Sequence, residues 1–202
     1  MSDSALRVEM CEMGALLWER RLIGGTEGNI SCRLPNGNIL CTPSGVMKGF
    51  LRPENLIEIN SEGEVQDRSS RMGFRDANVT EVHPSSEIKM HLAIYRDRTD
   101  AFAIVHAHPP YATARAYAEQ PLKPGMSPEG DAVLGHVGWV PFITPGTQEL
   151  AEGVAIAALR TDVVLLGRHG ATAIGRSIFE ATIKMETLER VSEVLHLAEQ
   201  LR

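Results

Sequence analysis

The stretch on which the fold is built reads Ala103-Ile104-Val105-His106-Ala107-His108-Pro109-Pro110. Its apolar, β-branched beginning is typical of a buried strand, and the two prolines mark where that strand ends. Side chains alternate between the two faces of a strand, so residues two positions apart point the same way. The sequence therefore predicts a strand that delivers two imidazoles to one place. They can bind a metal ion there or simply form hydrogen bonds at a strand end.

The composition is typical of a soluble globular domain. Of the 202 residues, 43% are hydrophobic and 23% are charged, which predicts one domain over residues 1–202. A net charge of −6 leaves no basic surplus, so we expect neither nucleic acid nor an anionic membrane as a partner. Any anion that binds must therefore be held by local geometry.

Targeting signals and cysteine spacing indicate the compartment. No apolar run approaches the roughly 18 residues of a membrane span, and the first ten residues have no basic or apolar signal region. We therefore expect a cytoplasmic protein. Cys11, Cys32 and Cys41 show no Cys-x-x-Cys spacing, so neither a disulfide framework nor a cysteine zinc site is predicted.

A hairpin is predicted near the beginning of the chain. Two short alternating runs, 30–34 and 39–41, flank Asn36-Gly37, the dipeptide typical of a two-residue turn. Such a turn would place Cys32 directly opposite Cys41. The residue before Asn36 is a proline that cannot donate to the ladder, so a shift of the register by one residue stays open.

Periodicity predicts the remaining elements. A polar, aperiodic loop is expected over 66–81 and a Pro/Gly-rich passage over 120–130. The predicted helices cover 6–23, 85–96, 111–118, 147–159 and 177–201, and further strands are predicted at 56–60, 139–143, 163–167 and 171–174.

Two turns carry groups suited to an anion. Thr42-Pro43-Ser44-Gly45 combines hydroxyl groups with a glycine that lets the main chain approach a ligand, although an ordinary turn has the same composition. Ser85 is predicted to cap a helix whose free N–H groups favour an anion. Glu87 then falls in the first turn, where a carboxylate has an ordinary helix-stabilising role as well. His83 and His91 lack a partner at ligand spacing and are predicted to be surface or core histidines.

The ordered set of motifs resembles the class II aldolase/adducin family. The set comprises Thr26-x-Gly28-Asn29, Thr42-Pro43-Ser44-Gly45, Pro84-Ser85-Ser86-Glu87, His106-x-His108 and His169-Gly170. It spans nearly the whole chain and is most similar to the L-fuculose-phosphate aldolase branch. The resemblance implies an α/β/α sandwich around a mostly antiparallel central sheet. It also implies a homotetramer with sites between subunits.

The same resemblance assigns residues to roles. It makes His106, His108 and His169 the ligands of one Zn²⁺ per chain, and Glu87 the catalytic acid/base. Three ligands leave a coordination position for substrate. The residues that fall where the family binds a substrate phosphate are Gly28, Asn29, Ser44, Gly45, Ser85 and Ser86.

The implied reaction is cleavage of a phosphorylated ketose, through an enediolate, to dihydroxyacetone phosphate and an aldehyde. Other activities within the family stay open, namely pentulose-phosphate 4-epimerase and methylthioribulose-phosphate dehydratase. A metal-free, adducin-like binding module is a further alternative. The family's aldolases usually have a tyrosine for the aldehyde in the segment that corresponds to 123–130, and this chain has none there. The aldehyde is therefore not specified.

Overall fold

The computed structural model describes residues 1–66 and 83–201. Within that part the strands are β1 (Asn29–Arg33), β2 (Ile39–Cys41), β3 (Ile57–Ile59), β4 (Ala103–Ala107), β5 (Val137–Val140), β6 (Val163–Leu166) and β7 (Gly170–Gly175). The α-helices are α1 (Asp3–Glu19), α2 (Ile88–Asp97), α3 (Pro110–Tyr117), α4 (Pro128–Leu134), α5 (Gln148–Ala158) and α6 (Ile178–Glu199). The predicted loop over 66–81 lies outside the described residues, apart from residue 66.

The described strands form one sheet in the order β3-β2-β1-β4-β7-β6-β5. Every neighbouring pair is antiparallel except β5 and β6, which are parallel. The strand that carries His106, β4, lies at the centre with all five residues buried. The prediction of a mostly antiparallel central sheet is thus confirmed.

Helices cover both faces of this sheet. Along β4, Ala103, Val105 and Ala107 pack into a core shared with α1, α3, α4 and α6. Ile104 points to the other face and packs against α2 and α5. The alternation of a strand therefore builds two apolar layers, and the α/β/α sandwich is confirmed.

The register predicted for the first hairpin is wrong by one residue. Cys32 pairs with Leu40, and Cys41 pairs with Ser31. The loop has three residues, because the N–H of Gly37 donates to the carbonyl of Leu34 and Gly37 adopts a φ of 89°. A proline suits the first corner of such a type I turn, and a glycine suits the left-handed position after it.

This shift sends the two cysteines to opposite faces of the sheet. Cys32 packs against the α1 and α6 side, whereas Cys41 packs against the α2 and α5 side. Both thiols are free, and burial raises the pKa of each to about 12. They are buried apolar groups rather than neighbours across a ladder.

Several element boundaries differ from the predictions. The predicted N-cap at Ser85 is wrong, because helix α2 begins at Ile88 with Glu87 as its N-cap, and Ser85 closes a separate turn by accepting a 3.0 Å backbone hydrogen bond from the N–H of Ile88. Helix α4 occupies part of the passage expected to be irregular. Thr147 caps α5, as its position before a helical pattern predicts, and Ser177, where the last helix is predicted to begin, caps α6. None of the described helices is long and apolar enough to cross a membrane.

Candidate active site

The edge of the sheet where β4 ends and β7 begins gathers the predicted site residues. His106 on β4 pairs with Thr172 of β7 on one side and with Asn29 of β1 on the other. His169 lies in the turn between β6 and β7, at the same edge. The antiparallel order thus brings together residues that are distant in sequence, since a strand end and a strand start meet at one edge.

Three imidazole rings converge at this edge. Their centroids lie 4.8 to 5.0 Å apart, and one ligand atom from each of His106, His108 and His169 lies within 4.8 Å of the others. His106 is completely buried and His169 is nearly so. Such a group of side chains from two separate segments has the composition and spacing of a metal site.

Hydrogen bonds at the outer nitrogens orient two of these rings. Nδ1 of His106 lies 2.9 Å from the carbonyl oxygen of Ala171, and Nδ1 of His108 lies 3.0 Å from Oε2 of Glu27. Both partners are acceptors, so each Nδ1 is assigned the proton of the neutral ring. The Nε2 lone pairs of the two rings then point towards the centre of the cluster.

The inward nitrogens fit a bound cation. Nε2 of His106 and Nε2 of His108 are only 3.1 Å apart. Two facing lone pairs at this distance repel each other unless a proton or a metal ion lies between them. A divalent ion on the three Nε2 atoms would satisfy them, and imidazole is a common ligand of zinc.

Close backbone approach makes room for the His108 ring. A Cβ atom at Gly170 would lie 2.5 Å from Cδ2 of His108 and 2.5 Å from the carbonyl oxygen of Ala107. Only glycine therefore allows β7 to begin this close to the ring. The His169-Gly170 pair supplies both an imidazole and the space for its neighbour.

Glu87 contacts the imidazole cluster from the N-terminus of α2. Its Oε2 lies 3.2 Å from Nε2 of His106, and its Oε1 lies 2.9 Å from Nε2 of His169 without hydrogen-bond alignment. The amide of Asn29 donates to Oε2 at 3.1 Å. The carboxylate is thus fixed at the centre of the cluster, where it can bind a metal ion or transfer a proton.

The protonation states at the site agree with this arrangement. Burial lowers the pKa of His108 to about 4, and the neighbouring imidazoles act in the same direction. This ring is therefore neutral at pH 7, as a metal ligand must be. Burial alone would raise the pKa of Glu87, but positive charge at His106 and His169, whether from a proton or from a metal ion on these rings, lowers that pKa well below its ordinary value.

The predicted phosphate residues lie around Glu87. Gly28 has a φ of 72° and its backbone packs against the carbonyl of His106, next to Asn29. The N–H of Ser44 donates to the carbonyl of His83, which places the turn with Ser44 and Gly45 beside residues 84–87. Ser85 accepts a hydrogen bond from the N–H of Glu87, and Ser86 lies against Gly146.

An open cleft borders one member of the cluster, His108. It has a volume of about 660 Å³ and borders His108, Glu27 and Pro110. This volume lies in the range of small-molecule sites. Of the three imidazoles, only His108 lines this cleft.

Two of the remaining histidines behave as predicted. His91 is completely buried, its Nδ1 lies 2.7 Å from the hydroxyl of Ser31, and burial lowers its pKa to about 3. His83 is exposed. Sequence reasoning missed two residues near the cluster, Glu27 and the buried Lys48. Glu27 stands inside a quoted motif, but only the fold brings it to His108.

Comparisons with known proteins agree with the geometry. The family model described as Class II Aldolase and Adducin N-terminal domain matches residues 8–196. An L-fuculose phosphate aldolase of Methanococcus vannielii is 31% identical over 94% of this chain and 94% of its own. A 3-oxo-tetronate 4-phosphate decarboxylase of Escherichia coli is 30% identical over 96% of this chain and 88% of its own.

Solved structures show the same similarity. The crystal structure of an L-fuculose-1-phosphate aldolase from Thermus thermophilus superimposes with a TM-score of 0.80 at 33% identity. The match covers 97% of this chain and 94% of that one. Sequence and fold therefore agree over nearly the full length of both proteins.

Proposed function

Because this chain belongs to the class II aldolase and adducin family, we propose that it is a zinc-dependent aldehyde-lyase. Its substrate would be a phosphorylated ketose, cleaved to dihydroxyacetone phosphate and an aldehyde. The proposal takes residues 1–202 as one domain. It assigns the metal to His106, His108 and His169, the proton transfer to Glu87, and the phosphate to Gly28, Asn29, Ser44, Gly45, Ser85 and Ser86.

One observation carries the proposal. The Nε2 atoms of His106 and His108 lie 3.1 Å apart while each Nδ1 faces an acceptor. A cluster of core histidines with no ligand would turn at least one inward nitrogen to a protein donor. This geometry supports a metal ion as the missing partner, and it argues against the metal-free binding module.

The metal ion and the carboxylate have separate tasks. A divalent ion held by the three imidazoles would act as a Lewis acid on the keto oxygen of the substrate, which is worth several kcal/mol in the transition state. Glu87 would give a proton to, or take one from, the carbon next to that keto group. Asn29 holds the Glu87 carboxylate through its amide, so proton transfer occurs from a fixed position.

A decarboxylase is the second candidate, and the relative in Escherichia coli favours it. In a 3-oxo acid the bond to the carboxyl carbon breaks, CO₂ leaves, and the electron pair moves towards the keto oxygen. Glu87 would then protonate the carbon that lost CO₂. In both reactions the bond that breaks joins the carbon next to the keto group to its neighbour on the far side. One site can therefore serve either reaction. The epimerase and the dehydratase stay as further alternatives. The motif of the pentulose-phosphate epimerases resembles Ser-Ser-Asp, whereas this chain has Ser86-Glu87, so the epimerase ranks lower.

The first experiment measures metal content. Gently purified protein should carry about one divalent ion per chain, with zinc expected from three imidazoles and an open position. Elemental analysis checks this. A protein that contains no metal and binds none on titration would contradict the proposed enzyme.

The second experiment identifies the reaction. Zinc-loaded protein is incubated with a panel of ketose 1-phosphates and with 3-oxo-tetronate 4-phosphate. Dihydroxyacetone phosphate, aldehyde, CO₂ and epimers are measured together. Aldehyde with dihydroxyacetone phosphate supports the aldolase, CO₂ without aldehyde supports the decarboxylase, and an epimer or loss of water overturns both.

Two further features stay predictions. We propose a homotetramer with sites at the subunit interfaces, which light scattering after size-exclusion chromatography can check. We also propose a cytoplasmic location, to be checked by cell fractionation.

A further inference from the structure

We propose that Lys48 supplies the positive charge that binds the substrate phosphate. This inference rests on the lyase function proposed above and adds a residue to it. The six predicted phosphate residues are all uncharged, while the nearby carboxylates of Glu27 and Glu87 would repel a phosphate dianion. A cation close to the turns at 26–29 and 42–45 would offset that repulsion.

Three cationic side chains are buried in the described part of the chain, and Lys48 differs from the other two. Arg115 forms an ion pair with Glu199, and Lys184 binds two carboxylates. Lys48, only 2% exposed, forms no ion pair with any described carboxylate. Glu27 and Glu87 favour its charge from beyond ion-pair distance, so direct contact with the buried ammonium is left to an anionic ligand.

Hydrogen bonding leaves the ammonium group with spare donors. Nζ of Lys48 donates to the carbonyl of Thr26 at 2.6 Å, and this is its one partner among the described residues. An ammonium has three N–H donors. Two of them therefore remain for a ligand, next to the turn that carries Gly28 and Asn29.

The position of Lys48 in the chain connects the two phosphate turns. It follows Gly45 by three residues, and its side chain reaches back to the turn that begins at Thr26. Burial lowers its pKa to about 8, an effect that the charges of Glu87 and Glu27 oppose. Most of the lysine is therefore protonated at pH 7, and a bound phosphate would keep it so.

The test must distinguish phosphate binding by Lys48 from a structural role, in which its hydrogen bond to Thr26 holds the turn at 26–29 in place. Lys48→Gln separates the two roles, since an amide can still donate to the Thr26 carbonyl but has no charge. Lys48→Met removes both. Lys123→Met is the matched control, because it removes an exposed lysine outside the site.

The test measures binding of inorganic phosphate to the zinc-loaded proteins by calorimetry, with metal content determined on the same samples. Both Lys48 variants should bind phosphate at least about tenfold more weakly than wild type, with unchanged metal content, and Lys123→Met should bind like wild type. Phosphate affinity of Lys48→Gln within twofold of wild type would overturn the inference. So would a wild-type protein that binds no phosphate.

The result is independent of the proposed reaction. If wild type binds phosphate through Lys48 but cleaves no sugar phosphate, the phosphate site stands and the lyase fails. If wild type is an active lyase whose phosphate affinity does not depend on Lys48, the lyase stands and this inference fails.

Discussion

The two ends of the central sheet differ in how their polar side chains are paired. At the end away from the histidines, Lys184 donates to Asp162, to Glu180 and to the carbonyl of Ile174. Arg98 binds Asp162 as well, together with Asp100. Each cation there has carboxylate partners within the chain.

At the histidine end several polar atoms have no hydrogen-bond partner within the described part of the chain. There, two imidazole nitrogens face each other, Oδ1 of Asn29 and Nδ1 of His169 form no hydrogen bond, and Lys48 has one backbone partner. All of these groups are buried or nearly so. The contrast teaches that one end of the sheet pairs its charged groups within the chain, whereas the other leaves several polar groups unpaired among the described residues, as the proposed metal and phosphate sites would require.

Removing a metal ligand should have the largest effect on this contrast. His106→Ala should abolish metal retention and with it the activity, because only two imidazoles remain. Elemental analysis and the cleavage assay check both. His136→Ala, which removes an exposed histidine elsewhere, should retain the ion. A His106→Ala protein with a full complement of metal would contradict the assigned ligands.

Replacing the carboxylate should separate binding from chemistry. Glu87→Gln should reduce turnover by at least about a hundredfold, the low end for loss of an acid/base group, while metal and phosphate binding stay largely intact. Steady-state kinetics on the identified substrate provide the measurement. Normal turnover would mean that Glu87 has no catalytic role and is only the residue that precedes α2.

The contact between Glu27 and His108 should have a smaller effect. Glu27→Gln weakens the acceptor that orients the His108 ring, and the loss of such outer contacts typically lowers metal affinity by about 10- to 100-fold. Competition with a chelator of known affinity measures the change. Glu62→Gln, an exposed carboxylate outside the site, is the control. Equal zinc affinity of Glu27→Gln and wild type would show that the ring is held by packing alone.

The two buried lysines should differ in their contribution to stability. Lys184→Met should lower the free energy of unfolding by about 1 to 3 kcal/mol, because it removes the ammonium from the Ile174 carbonyl and one donor each from Asp162 and Glu180. Lys48→Met should cost less, since it also removes a buried charge without a counter-ion. Urea denaturation of the metal-free proteins compares them. An equal or larger loss for Lys48→Met would refute the contrast between the two ends.

The smallest expected effect concerns acid. Burial acts to raise the pKa of Asp162, but hydrogen bonds from Lys184 and Arg98 hold it below its ordinary 3.8. The resulting stability is complete above pH 3.8 and is lost as the pH falls through the lower folded value. Asp162→Asn should therefore reduce the loss of unfolding free energy on acidification. The reduction should be less than about 1 kcal/mol, because the carboxylate is half-exposed. The free energy of unfolding of both proteins is measured at about pH 5 and about pH 3, on either side of the ordinary pKa. An equal change with pH in wild type and variant would count against the ion pairs.

The sequence by itself determined the local pattern of this protein. The apolar run that begins at Ala103 predicted the buried strand with His106, and the continuous apolar run at 163–167 predicted another. Short-range chemistry also predicted the cap of α5 at Thr147. Such features depend on neighbours within a few residues, so periodicity and capping rules find them. The ordered motifs identified the family in addition.

Only the tertiary structure decided which distant groups meet. The hairpin register depended on whether Pro35 would join a longer turn, and the dipeptide Asn36-Gly37 did not reveal this. Glu27 reaches His108 across 81 positions in the chain, and the buried Lys48 reaches the carbonyl of Thr26 across 22 positions. Contacts of this kind depend on strand order and packing. Local sequence patterns do not encode them, because each partner satisfies its own local rules whether or not the other is near.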